Sequence, residues 1–315
     1  MKIKRVLPCF LVILLTSCSG TIESKIFDFD TQIIVRLYDG KSNDLFEIKG
    51  ILDKYDKLAD NYRSRILDNV YTINQTNDPV QVDEGLYKML QKAFAVKAEG
   101  AEYFDPLCGS LAKLWKDSLN NKQVLDSATV TTELEKKALT SVEFQNDYYV
   151  RRTGESEIDL GGIAKGYALD VVKEYLDSKE LKQYIINAGQ SSILLGEKNT
   201  SDGLFNIGVR DLNNKYIQAK NCFVSTSGVS EQFVEIDSVK YSHIVNSNTG
   251  STVCLYDAVI VLTETGYFGD ALATSMMMNT IDEIKAIEQT YGVKALVIKD
   301  EQITYQNESI EVLTH

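Results

Sequence analysis

Three groups of residues in this chain have the types and spacings that chemistry requires. The first is the stretch 157–170, EIDLGGIAKGYALD, where an acid, Asp159, precedes Gly161-Gly162 and a cation, Lys165, follows. The second is Asp270 with Thr274, four positions apart, so that on a helix both side-chain oxygens face one side. The third is His243, one of 2 histidines, the other being the C-terminal His315. Each group admits two readings. Gly-Gly before a helix makes an anion site, where free N–H groups and the helix dipole meet a ligand, or an ordinary connection with no ligand. The string fits neither the dinucleotide fingerprint nor the P-loop. An Asp at a helix start with a Thr one turn on holds a hard cation through oxygen, or simply caps the helix. A lone histidine beside a strand is a general base or a packing residue.

Secondary structure must bring these groups together. Ile158 and Leu160 alternate around Asp159 as at a strand end, and Gly161-Gly162 then permits backbone angles that a side chain forbids. Ala164, Ala168, Val171, Val172, Tyr175 and Leu176 give a helix over about 163–177 one apolar face. Before this stretch the pattern predicts a strand at 31–38 and amphipathic helices at 42–58 and about 83–99. After it come strands at 183–187, 191–195, 205–210, 216–219 and 223–226, then an antiparallel pair at 231–237 and 239–244. A buried-type strand at 258–263 leads to a helix expected to start at Gly269 and Asp270. A helix at 281–291 and a hairpin of 294–299 with 302–306 complete the core.

Composition narrows the function. The chain has 315 residues, 44% of them hydrophobic, with 3 prolines and no repeat, linker or composition break, so one domain is expected. A net charge of -12 argues against nucleic acid as a partner, because phosphate backbones are bound by clustered Lys and Arg. It also means that a diphosphate ligand would need a local cation or a metal. The N-terminus begins with Lys2, Lys4 and Arg5, continues with an apolar run at 6–15, and ends Leu15-Thr16-Ser17-Cys18. That run is too short to span a bilayer and is read as an export signal. Cys108, Cys222 and Cys254 show no metal-type spacing and are read as packing residues.

The string at 157–170 closely resembles the signature of the FAD:protein FMN transferases, the ApbE-type family. Other stretches match that family in the same order. Tyr103-Phe104-Asp105-Pro106 runs into Gly109 and Leu114-Trp115; Ser225-Thr226-Ser227-Gly228 and Tyr241-Ser242-His243-Ile244 follow; and Asp270 with Thr274 comes last. Two stretches depart from it. Gln190-Ser191 stands in a joint where the family has glycines with an acid or amide, and Asn246-Ser247-Asn248-Thr249-Gly250 replaces Asp-Pro-x-Thr-Gly.

The resemblance implies an α+β fold, a single domain of antiparallel sheet and packed helices (ApbE-like, T-fold-like) around a flavin cavity. It implies FAD as substrate, with FMN passed to a Ser or Thr hydroxyl of a partner protein and AMP released. Magnesium would sit on Asp270, Thr274 and the carbonyl of Gly162. His243 and Asp270 would be catalytic; Tyr62, Tyr103, Phe104, Asp105, Asp159, Lys165, His243 and Val245 would bind the flavin nucleotide. The N-terminal motif resembles a lipoprotein box, giving a signal over 1–17, a tether over 18–26 lipidated at Cys18, and the catalytic domain over 27–315. The acceptor would be an exported protein with a Ser/Thr-Gly-Ala-Thr-like segment, as in membrane redox-pump subunits.

Overall fold

The computed structural model describes residues 20–229 and 233–314. Its centre is an eight-stranded sheet in the order Ile22–Asp28, Thr31–Leu37, Tyr184–Ala188, Ser192–Leu195, Cys222–Gly228, Ala258–Thr263, Lys294–Lys299 and Gln302–Gln306. Every pairing within it is antiparallel. Successive strand residues point to opposite faces, and Ala258–Thr263 and the interior of Lys294–Lys299 are apolar at nearly every position, so the sheet must be covered on both sides. Phe223, Val259, Val261 and Val297 join a core formed with the helices Ser42–Ala59, Ala164–Ser178, Gly266–Met276 and Ile281–Tyr291. Their neighbours Val224, Ala258, Ile260 and Leu296 belong to a second core beneath a three-stranded sheet of Phe205–Gly208, Lys215–Ala219 and Val312–Thr314.

A third, smaller core fixes the segment carrying His243. Leu111, Trp115 and Leu119 of the helix Gly109–Asn120 pack with the helix Ser127–Ala138 and the hairpin of Phe233–Ile236 with Val239–Ser242. Trp115 stacks on Tyr241 at 5.9 Å and its indole N–H donates to the Gly250 carbonyl at 2.9 Å. Among the described residues no helix is long and apolar enough to cross a membrane.

Three local expectations change. Residues 22–26, assigned to a tether, belong to the edge strand Ile22–Asp28, because alternating Ile22, Ser24 and Ile26 find a partner in Thr31–Leu37. Cys18 and the export signal lie outside the described residues. The segment around Asp159 is not a strand, although Ile158 and Leu160 are fully buried as alternation required. Its backbone is held by single groups instead of a ladder. Asn74 Oδ1 accepts from Ile158 N–H at 2.8 Å, Asn74 Nδ2 donates to Ile158 C=O at 2.9 Å, and Asp159 N–H donates to Pro106 C=O at 2.8 Å. The Asp270 helix starts at Gly266, one turn earlier than expected, so Asp270 is not its cap.

Candidate active site

The cleft is built where the helices Ala164–Ser178 and Gly266–Met276 cross. At the crossing Gly166 and Gly266 lie backbone to backbone, and a Cβ on either would collide with the other's carbonyl. Asp170, on the first helix, accepts from the N–H groups of Gly266 at 2.7 Å and Tyr267 at 2.9 Å, and so caps the second. Burial pushes its carboxyl up to about 7 despite these two bonds.

This clamp sets Asp270. Its carboxylate accepts from Ser192 Oγ at 2.8 and 2.9 Å, from Ser225 Oγ at 2.6 Å and from Gly166 N–H at 2.8 Å. The anion expected at the start of the helix Ala164–Ser178 is thus supplied in part by the protein itself. Burial raises the Asp270 carboxyl above its ordinary range, against the charge of Lys165 and the hydrogen bonds from Ser225, Ser192 and Gly166. Thr274 Oγ1 donates to the Asp270 carbonyl at 3.0 Å and lies 3.3 Å from Ser227 Oγ.

Neither Gly161 nor Gly162 has a positive φ, so conformational freedom does not explain them. Space does for Gly162: a Cβ there would lie 2.7 Å from the Phe104 ring and 3.6 Å from Thr274 Oγ1. Its backbone is therefore wedged between an aromatic wall and the Asp270 helix. Asp159 Oδ1 accepts from Gly161 N–H at 2.6 Å and closes the turn.

Most of the expected residues come together. Phe104, Asp105, Asp159, Gly162, Lys165, His243, Val245, Asp270 and Thr274 line one cleft of about 240 Å³. An adjoining cleft of about 250 Å³ shares Asp159, Gly161 and Lys165 with it and adds Tyr62. Tyr62 is 50% exposed, with the ammonium groups of Lys113 and Lys116 at 4.8 and 4.9 Å from its ring. Tyr103 lines neither cleft. Its backbone is tied elsewhere, N–H to Ser275 Oγ at 3.1 Å and C=O from Ser247 N–H at 3.2 Å. His243 is exposed at the cleft, whereas Asp270 is buried within it.

Several functional groups had no sequence signal of their own. Ser192 and Ser225 are buried serines in strands, recognisable only as polar residues where an apolar one would pack. Lys97 and Lys137 both reach Asp105 Oδ2, at 3.2 and 3.3 Å, and Lys137 also donates to the Ser247 carbonyl at 2.5 Å. Lys165 is therefore not the only cation near the cleft, although the other two are already paired.

A hard cation suits part of this donor set. Asp270 carboxylate, Thr274 hydroxyl and Gly162 carbonyl offer oxygen only, and the carboxylate is buried with no ion-paired lysine or arginine among the described residues. The same residues form no cluster of three or more His, Cys, Asp or Glu; among the described residues none exists.

The chain matches the ApbE family over residues 29–297. It is 30% identical over 251 residues to a protein named FAD:protein FMN transferase from Treponema pallidum (strain Nichols), covering 70% of this chain and 67% of that one. It is 25% identical over 279 residues to a protein of the same name from Klebsiella pneumoniae (strain 342), covering 84% and 85%. The crystal structure of the ApbE protein from Thermotoga maritima superposes with a TM-score of 0.78 at 25% identity, over 92% of this chain and 97% of that one. The mixed helix and antiparallel-sheet architecture is thus shared along nearly the whole length, and the chain belongs to the ApbE family.

Proposed function

We propose that this protein transfers FMN from FAD to a Ser or Thr hydroxyl of an acceptor protein and releases AMP. One observation carries the reading: Asp159, Gly162, Lys165, His243, Asp270 and Thr274, far apart in sequence, line a single cleft in a chain of this family. In the reaction the acceptor oxygen attacks the phosphorus of the FMN half. A new P–O bond forms, the bond from that phosphorus to the bridging oxygen breaks, and AMP departs with the oxygen. Such transfers depend mainly on positioning and neutralisation of charge.

The residues divide this work. Lys165, which lines the cleft and whose charge already acts on the Asp270 carboxylate, would face the diphosphate. Asp159 holds the glycine turn, and Phe104 and Val245 wall the cleft beside it. Tyr62 offers a ring face for one heterocycle. His243, exposed where an acceptor arrives from solvent, takes the hydroxyl proton on its imidazole. Asp270, Thr274 and the Gly162 carbonyl would hold magnesium, which when bound draws charge from the diphosphate. His243→Ala should then lower transfer by about 10²-fold or more while FAD affinity stays within several-fold.

We place the protein outside the cytoplasm, tethered to a membrane by lipid on Cys18 after removal of residues 1–17, on the order basic start, apolar run, LTSC. The strand Ile22–Asp28 leaves a short link between that anchor and the sheet. The acceptor is then an exported protein with a Ser/Thr-Gly-Ala-Thr-like segment. Incubation with FAD and magnesium should give AMP only when the acceptor is present, together with an FMN-sized mass gain on the acceptor. AMP without acceptor would make the protein an FAD pyrophosphatase, and FAD binding without AMP would make it a flavin carrier.

A further inference from the structure

We infer that the acceptor docks as an added strand on the open edge of Phe205–Gly208, in the groove between the two sheets; this rests on the transferase reading. In the three-stranded sheet this strand pairs with Lys215–Ala219 on one side and, among the described residues, with no strand on the other. Val209 N–H donates to the Lys215 carbonyl at 2.9 Å. Alternation along an antiparallel ladder then turns Ile207 and Phe205 inward and aims the backbone N–H and C=O of Asn206 and Gly208 outward. Exposed edge groups of this kind are a template for another chain.

The groove along that edge has a volume of about 460 Å³. Five consecutive residues, from Asn206 through Ile207, Gly208 and Val209 to Arg210, line it. Side chains of a strand alternate between faces, so a cleft that meets all five in sequence runs along the backbone edge and not over one face. Its floor is the apolar face of the main sheet, including Ile193, Val224 and Ile260. Asn187 and Gln190 add amides that can pair with a peptide backbone.

Gly208 points the same way. Its φ is not positive, and a Cβ there would meet nothing within 4 Å, so neither strain nor packing inside the chain calls for glycine. A glycine within a strand commonly marks the close approach of another backbone. The groove also adjoins the site, because Thr226 lines both it and the cleft holding Asp270 and His243. The groove and the cleft lie on opposite faces of the main sheet, so an extended segment on the edge, advancing about 3.3 Å per residue, would carry its hydroxyl around the strand end at Thr226 to reach the cleft.

The test uses Asn206→Pro and Gly208→Pro, each of which removes one outward N–H while leaving the inner ladder intact. Transfer is measured with a short peptide carrying Ser-Gly-Ala-Thr, together with FAD affinity and melting temperature. Both variants should raise the KM for the peptide by about tenfold, the loss of one main-chain bond, with FAD affinity and melting temperature unchanged. A parental peptide KM in both variants overturns the docking site and leaves the transferase reading standing. A parallel fall in FAD affinity also overturns it, since the edge would then serve the flavin. If the parental enzyme puts no FMN on the peptide, the transferase reading fails and the docking site fails with it.

Discussion

Asp270 and Tyr62 face the same pair of adjoining clefts but are held in opposite ways. Asp270 is fixed by two serine hydroxyls from neighbouring strands and a helix N–H, all within 2.9 Å, in a buried crossing of two glycine-containing helices. Tyr62 is half exposed, and the partners of its ring are lysine side chains that solvent also reaches. The charged end is thus organised before any ligand binds, as electrostatic catalysis requires. Under the proposed function the ring end can adjust, and its residues should influence affinity more than turnover.

Breaking the buried end should have the largest effect. Asp270→Ala leaves the hydroxyls of Ser192 and Ser225 and the N–H of Gly166 without their acceptor, each orphaned group costing about 1–3 kcal/mol. A marked fall in melting temperature should therefore accompany loss of transfer by about 10²-fold or more. This differs from the expectation for a cap, whose loss costs only about 0.5–2 kcal/mol. A parental melting temperature would show that the network is not holding the fold.

The glycine crossing sharpens the contrast. Gly166→Ala forces a Cβ into the Gly266 carbonyl, and overpacking of this kind costs about 1–3 kcal/mol or more, read by denaturant unfolding. Gly50, on the helix Ser42–Ala59, has open space around a Cβ, so Gly50→Ala should stabilise by about 0.4–1 kcal/mol. Equal signs for the two substitutions would contradict the crossing as the tight point.

A smaller effect concerns pH. Burial pushes the Asp170 carboxyl from its ordinary 3.8 up to about 7, so between these pH values the native state holds the extra proton. Its contribution to stability is present below the unfolded value and is lost as pH rises toward about 7. Asp170→Asn should flatten that decline in a series of melting curves while keeping a capping oxygen. An unchanged slope would assign the pH dependence to other groups.

The sequence disclosed these regions unequally for physical reasons. Long periodic segments such as Ser42–Ala59 and Ala164–Ser178 were legible because burial imposes a stripe on them. The helix Ser127–Ala138 and the strand Ser141–Phe144 were not, since the helix buries only Glu133 and the strand is nowhere fully buried. In the cleft, Asp270, Thr274 and Gly162 stood in recognisable strings. Their supports did not, because Ser192, Ser225 and Gly166 lie 78, 45 and 104 positions from Asp270 and are joined to it only by the fold. The glycine turn was placed correctly but for another reason, crowding by Phe104 in place of an unusual φ.

The most direct test of this division compares Asp270→Asn with Tyr62→Ala in steady-state FMN transfer, with FAD varied at saturating acceptor. Asp270→Asn keeps a hydrogen-bonding oxygen but removes the charge, and should lower kcat by about 10²-fold with FAD affinity within several-fold. Tyr62→Ala should raise the KM for FAD several-fold and leave kcat near the parental value. If both variants lose kcat alike, or if Tyr62→Ala is the one that abolishes turnover, the buried carboxylate is not the organised centre of the reaction.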